Sequence, residues 1–235
     1  MKVLFAGPSI HGLELDLTQI DSRPPAAQSD VARAVAEGAT AIGLIDGVYE
    51  SVAAIWHKEI LFALERGVTV LGAASMGALR AAECASFGMR PIGSIAGRYL
   101  DGSLDDDAAV AITHAPAELG FAPLSEALVD AEATIRRLAD LNLVTRDEAA
   151  ALLARAKALF FKDRTVAAIV GVLPRADELA QLYAAQRVGL KQQDAMALVE
   201  ELRRLPSERE LHEPDWRLER PSFWRRAEEA WSIAS

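Results

Sequence analysis

The sequence predicts an α/β fold: a Rossmann-like doubly wound parallel sheet followed by an all-helical C-terminal region. Three observations carry that prediction. Ala41-Ile42-Gly43-Leu44-Ile45 and Val68-Thr69-Val70-Leu71 are short apolar runs with little polar alternation, as expected of parallel strands covered on both faces. Each run stops at small or polar residues, Asp46-Gly47 and Gly72-Ala73-Ala74-Ser75, and helical stretches alternate with the strands. From Ser125 onward the periodic stretches are all helical.

Taken in order, Lys2 to Ala6 form a first strand that ends at Gly7-Pro8-Ser9. Residues 10–29 read as irregular, stiffened by Arg23-Pro24-Pro25, until Ser29 or Asp30 caps a helix that runs to about Glu37 and closes at Gly38. A helix from about Glu50 to Arg66 carries Val52, Ile55, Trp56, Ile60, Phe62 and Leu64 on nearly every bearing. Such a helix is buried or covered by a partner, so at least one of His57, Lys58 and Glu59 is expected to leave bulk water. Met76 to Phe87 form a shorter helix ended by Gly88. Pro91 to Ile95 read as a further strand, Tyr99 to Asp107 as an acid-rich turn, and Ala108 to Thr113 as an edge strand.

The helical periods beyond are Ser125 to Leu141, Thr145 to Lys162, Asp163 to Val170, Arg175 to Arg187 and Leu190 to Leu205, with Thr145 and Glu148 spaced as a capping box. Pro206 opens a tail containing Trp216, Trp224 and Trp231, in which Phe223, Ala227, Ala230 and Trp231 recur at helical spacing. That tail docks either on its own domain or on a partner. The expected organisation is a core over 1–124, a helical region over 125–205 and a tail over 206–235.

Composition narrows the function. The 235 residues are about half apolar, enough for a substantial core. No run approaches the ~20 apolar residues that span a bilayer, and the N-terminus lacks the apolar core of a secretion signal, so no membrane partner is expected. Cys84 is the only cysteine, which excludes an intrachain disulfide and makes a cytoplasmic location the expectation. With a formal net charge of −9 and acids interleaved among the C-terminal arginines, nucleic acid is not an expected partner.

The candidate chemistry gathers at one edge. Ligands of open α/β sheets collect beyond the carboxyl ends of the strands, where Ser9, Asp46 and Ser75 all fall. Ser75 stands in small-x-Ser-x-small at a strand-to-helix turn, as a nucleophile on a tight elbow does; the alternative is an ordinary helix N-cap. The amides of Met76, Gly77 and Ala78 open the following helix and are available to an oxyanion or phosphate. Asp46, His57 and Ser75 occur in the chain order of one known catalytic triad, although a helix starting near Glu50 sets His57 roughly 10 Å from the strand edge. Arg80 either pairs with Glu83 on the helix surface or clamps an anion one turn beyond Ser75. Asp105, Asp106 and Asp107 lack the spacing of a calcium loop, so a solvated turn is the stronger reading over a cation site. His11, His114 and His212 show no metal-ligand pattern, Cys84 reads as a packing residue, and neither a Walker loop nor a complete dinucleotide fingerprint is present.

Several of these pieces together are recognisable. Gly7-Pro8-Ser9, Arg23-Pro24-Pro25 with Asp30, Ile45-Asp46-Gly47, Trp56-His57-Lys58-Glu59-Ile60 and the long string from Gly72 through Ser75-Met76-Gly77 and Arg80 to Glu83 resemble the TfuA-like family, named for trifolitoxin synthesis. The resemblance is strong over about 1–125 and weak beyond. It implies an accessory protein of YcaO-dependent backbone thioamidation that delivers sulfur by hydrolysing a thiocarboxylated, ThiS-like carrier to release sulfide. The implied partners are the YcaO enzyme, the ubiquitin-fold carrier and a precursor peptide, with self-association left open. ATP chemistry would belong to YcaO, so this chain itself is expected to need no cofactor or metal.

Joined to the residue reading, this suggests Ser75, His57 and Asp46 as nucleophile, base and orienting carboxylate. Ser9, Gly72, Ala74, Met76, Gly77 and Arg80 would form the substrate groove, its narrowness set by the small residues. The rival reading is a noncatalytic adaptor that docks YcaO with the carrier or peptide; a small-molecule or nucleotide phosphate site at the Ser75 helix is a weaker third.

Overall fold

The computed structural model describes residues 1–48, 52–209 and 215–233. Among these are strands β1 (Lys2–Phe5), β2 (Ile20–Arg23), β3 (Ala41–Leu44), β4 (Thr69–Gly72) and β5 (Arg90–Pro91), which pair in parallel in the order β2-β1-β3-β4-β5. The chain reverses its direction of winding between β1 and β3, and in a doubly wound sheet of this order the crevice beyond that pair is where ligands gather.

Alternation along the strands sorts two cores. Val3, Phe5, Ile42, Leu44 and Val70 face one side, against helices α1 (Asp30–Ala36), α2 (His57–Glu65) and α3 (Met76–Cys84). Leu4, Ala6, Ala41 and Leu71 face the other, which is covered by Ala195, Leu198 and Leu202. Those three belong to a distant helix (Leu190–Arg204), whose Leu198 and Leu202 fill the space above Gly43 where a Cβ would stand. The C-terminal helical region thus supplies the sheet's second layer.

The intervening helices are α4 (Gly93–Leu100), α5 (Leu128–Asp140), α6 (Arg146–Ala158), α7 (Val166–Val170) and α8 (Ala176–Ala185), and the helix over the second face is α9. From α4 to α8 they enclose a further core around Ile95, Ile135, Leu138, Leu152 and Tyr183. Thr145 and Glu148 make the reciprocal capping pair, at 3.2 and 2.8 Å, at the start of α6. The last helix, α10 (Ser222–Ile233), lays Trp224 fully buried against Phe62 and Trp56. The tail docks on its own domain.

Four local expectations are corrected. Ile20–Arg23 pairs with β1 although it reads as loop, because an edge strand with one wet face can be written Ile-Asp-Ser-Arg. The helix α2 starts only at His57: Val52 to Trp56 are non-helical, Glu59 accepts the Trp56 amide at 3.3 Å, and the expected start at Glu50 lies outside the described residues. The strand expected over Pro91–Ile95 is mostly α4, since Asp194 of α9 accepts the amides of Ser94 and Ile95 at 2.9 and 2.8 Å. The edge strand expected over Ala108–Thr113 is a short 3-10 turn, Asp107–Ala109, followed by chain that belongs to no strand of the sheet; Asp106 caps the turn through the Ala108 amide, and Lys191 donates to the Val110 carbonyl at 2.8 Å.

Candidate active site

A cavity of about 560 Å³ opens beyond the carboxyl ends of β1, β3 and β4. Its sheet side presents Pro8, Asp46, Gly47, Ser75, Met76 and Arg80. The opposite wall is the segment from Val110 to His114, with Phe161 and Lys162 from the chain following α6.

Ser75 is raised by an unusual turn. Its amide donates to the Ala73 carbonyl two residues back, at 2.7 Å, and Ala74 between them has φ of +65°, a left-handed conformation that costs a non-glycine residue on the order of 1 kcal/mol. Ala74 is fully buried, so the surrounding packing maintains the turn. The Ser75 hydroxyl makes no capping bond to α3, nor any other hydrogen bond among the described residues. Ser75 thus occupies the N-cap position of α3 without the capping bond, and its hydroxyl stands in the cavity wall.

The helix amides behave differently from expectation. Gly77 donates to the Ile45 carbonyl at 3.1 Å and Ala78 to the Ser75 carbonyl at 2.9 Å, so both are taken by the protein. The Met76 amide alone of the three has no acceptor among the described residues. The small residues also serve packing. A Cβ on Gly77 would stand 1.8 Å from the Leu44 carbonyl oxygen, and one on Gly72 would stand 2.2 Å from that of Gly77. Gly72 and Gly77 therefore seat α3 on β3 and β4, Ala74 packs in the core on the α9 side, and none of the three lines the cavity.

Asp46 and His57 are each engaged elsewhere. Asp46 is buried and accepts the amides of Gly7 and Ser9 at 2.9 and 3.0 Å and the Ser9 hydroxyl at 2.7 Å. Its carboxylate organises the loop after β1, and the expected Asp46–His57–Ser75 relay is not assembled. His57 stands at the first turn of α2 with Nε2 2.8 Å from Glu83 Oε2, the same oxygen that Arg80 reaches at 2.6 Å. It lines a shallower cleft beside the cavity, and Arg80 borders both. Arg80 also donates to the Ile55 carbonyl at 3.3 Å, which aims a largely covered guanidinium along the cavity wall.

Ser9 opens instead onto a neighbouring cleft with Asp130, Arg187 and Lys191. Burial pushes the Asp130 carboxyl up to about 6 and holds Lys191 below the usual lysine range, with Asp46 and Asp130 opposing the latter shift. Cys84 is buried and its thiol is pushed up to about 11, which keeps it protonated and inert. Among the described residues no cluster of His, Cys, Asp or Glu is arranged to hold a metal ion, and His212 lies outside them.

Sequence reasoning missed the far wall. His114 and Lys162 come to the far wall from positions remote in the chain, and Lys191 of α9 holds that wall through the Val110 carbonyl.

The sequence profile of the family described as TfuA-like protein matches residues 46–165, just over half of the chain. The chain belongs to the TfuA-like family. No curated protein matches it. The matched span contains every residue lining the cavity except Pro8, so the TfuA-like segment and the cavity coincide. Membership supports an accessory role in the trifolitoxin and thioamidation pathway. No helix of this TfuA-like chain is long and apolar enough to cross a membrane among the described residues.

Proposed function

We propose that the cavity admits the C-terminal thiocarboxylate of a ubiquitin-fold, ThiS-like carrier and hydrolyses it, supplying sulfide to a YcaO enzyme that thioamidates a peptide or protein backbone. The observation that carries this reading is the unpartnered Ser75 hydroxyl, raised on the Ala73–Ser75 turn beside the Met76 amide in a cavity bordered by Arg80. An extended Gly-Gly tail is narrow enough for such a cavity. Arg80 supplies the positive charge that steers the anionic sulfur, and Met76 supplies one donor to the developing oxyanion. Nothing in the scheme requires a cofactor on this chain, and in it the protein works in the cytoplasm beside the partner enzyme.

The test uses the purified chain with thiocarboxylated carrier, without YcaO. Sulfide release, accompanied by conversion of the carrier to its carboxylate by mass, is expected from the wild type. Ser75→Ala is expected to reduce it by about a thousandfold with carrier binding retained. Full activity in Ser75→Ala removes Ser75 from the scheme.

A second reading, the noncatalytic adaptor, is favoured by the Gly77 amide: its bond to Ile45 leaves a single free donor where acyl-transfer sites commonly offer two. An adaptor releases no sulfide without YcaO and still binds the carrier or the peptide.

A further inference from the structure

We propose that His114 is the general base of the Ser75 site; the inference rests on the hydrolytic reading above. Of the three histidines among the described residues, His57 is tied to Glu83 and His11 lies with Nδ1 2.9 Å from the Gly120 carbonyl. Only His114 lines the same cavity as Ser75.

Its tautomer follows from one contact. Nδ1 lies 2.8 Å from the Ala115 carbonyl, and a carbonyl oxygen only accepts. The hydrogen therefore resides on Nδ1, and Nε2 carries the lone pair that a base needs.

The backbone around the ring is fixed from both sides. The Thr113 amide donates to Ser125 Oγ at 2.8 Å, the Thr113 carbonyl accepts from the Leu124 amide at 2.8 Å, and the Ala115 amide donates to the Ala122 carbonyl at 2.8 Å. His114 itself forms an antiparallel bridge with Pro123, and its ring packs edge-on against Phe121 with centroids 5.7 Å apart. A base held this firmly loses little entropy when it acts. The charged groups sharing its cavity are Asp46, Arg80, Asp107 and Lys162.

In the first step His114 Nε2 takes the Ser75 hydroxyl proton, directly or through one water, as Oγ bonds to the thiocarboxyl carbon. The tetrahedral adduct collapses with cleavage of the carbon–sulfur bond. The sulfur of the anionic thiocarboxylate leaves as hydrosulfide, taking the proton held by His114. Water then attacks the Ser75 ester, again giving a proton to Nε2; the ester bond breaks, Oγ regains that proton, and the carrier departs as a carboxylic acid that releases water's second proton to solvent and becomes the carboxylate. No oxidant, reductant or metal is consumed.

The test is sulfide release by the full-length chain bearing His114→Asn, whose side-chain amide still donates to the Ala115 carbonyl but cannot act as a base. A fall in kcat of about a hundredfold or more with KM within a few-fold is the expected result. In His114→Ala, added imidazole is expected to restore part of the rate. As a measurement that does not depend on any variant folding, acylation of wild-type His114 by diethyl pyrocarbonate should abolish sulfide release and be blocked by the carboxylate form of the carrier. A wild-type chain that binds carrier but releases no sulfide overturns the hydrolytic reading and His114 with it. An active wild type whose activity survives His114→Asn or acylation at His114 overturns the base alone.

Discussion

Asp46 holds Ser9 by both of its donors, the hydroxyl at 2.7 Å on Oδ1 and the amide at 3.0 Å on Oδ2, so that the ends of β1 and β3 are locked together beneath the cavity. This carboxylate also takes the Gly7 amide and helps balance the charge of buried Lys191. Replacing it leaves three buried donors without an acceptor. Asp46→Ala is expected to lower stability by about 3 kcal/mol and Asp46→Asn by less, since the amide oxygen still accepts. Urea midpoints decide the matter, and a loss under about 1 kcal/mol in Asp46→Ala would show that the loop holds itself.

The tail acts on stability in the same direct way. Trp224 is fully buried, with its ring 5.8 Å from Phe62 and 6.5 Å from Trp56, and Arg209, near the start of the tail, donates to the carbonyls of Val35 and Ala39. Trp224→Ala is expected to cost about 3–5 kcal/mol and to raise binding of an apolar dye to the exposed α2 face. Thermal melts of the variant alone, without any partner, check this; an unchanged melt would return the tail to the role of a partner segment.

These two cases show what a sequence discloses and what it conceals. The apolar runs at Ala41 and Val68 announce β3 and β4 because both faces of a central strand are dry. Ser75 is likewise visible, since a hydroxyl among Ala, Gly and Met at a strand end is conspicuous. The edge strand at Ile20 is hidden because its polar residues satisfy only one wet face. The true start of α4 is hidden for a different reason: its cap, Asp194, lies about a hundred residues further along the chain. Shorter but still non-local separations conceal His114 and the engagement of Gly77 by Ile45, which no helix-start rule could anticipate. Local propensity describes backbone preference; a cap or an acceptor contributed by tertiary packing overrides it.

Glu59 gives the protein a pH dependence. It is buried, with one oxygen accepting the amides of Ser29 and Trp56 and the other without a partner, and burial pushes its carboxyl up to about 7. A carboxyl whose folded pKa exceeds its unfolded value binds its proton more tightly when folded. Its contribution is therefore complete below about pH 4.5 and declines as pH rises towards and through 7. Glu59→Gln, which cannot ionise, is expected to lose less stability than the wild type between pH 5 and pH 8, by on the order of 2 kcal/mol. Asp130 shifts in the same direction but is present in both proteins, so the difference between their urea midpoints at the two pH values isolates Glu59. Parallel midpoints would mean that Glu59 titrates as an ordinary carboxyl.

Two glycines that look alike in sequence should respond oppositely to the same substitution. Gly77 lies where α3 touches β3, and an added Cβ would meet the Leu44 carbonyl oxygen at 1.8 Å and its carbon at 2.5 Å. Backbone atoms of a central strand cannot turn aside, so α3 must lift, and with it go the Gly77–Ile45 bond and the turn that presents Ser75. Gly77→Ala is expected to lose at least about 3 kcal/mol or to yield insoluble protein. Gly97 lies inside α4, where an added Cβ meets nothing within 4 Å. There the methyl only restricts the unfolded chain, and Gly97→Ala is expected to gain about 0.5–1 kcal/mol. Melting both variants beside the wild type tests the seating of α3 on β3, and a Gly77→Ala protein melting within about 2 °C of the wild type would contradict that close approach.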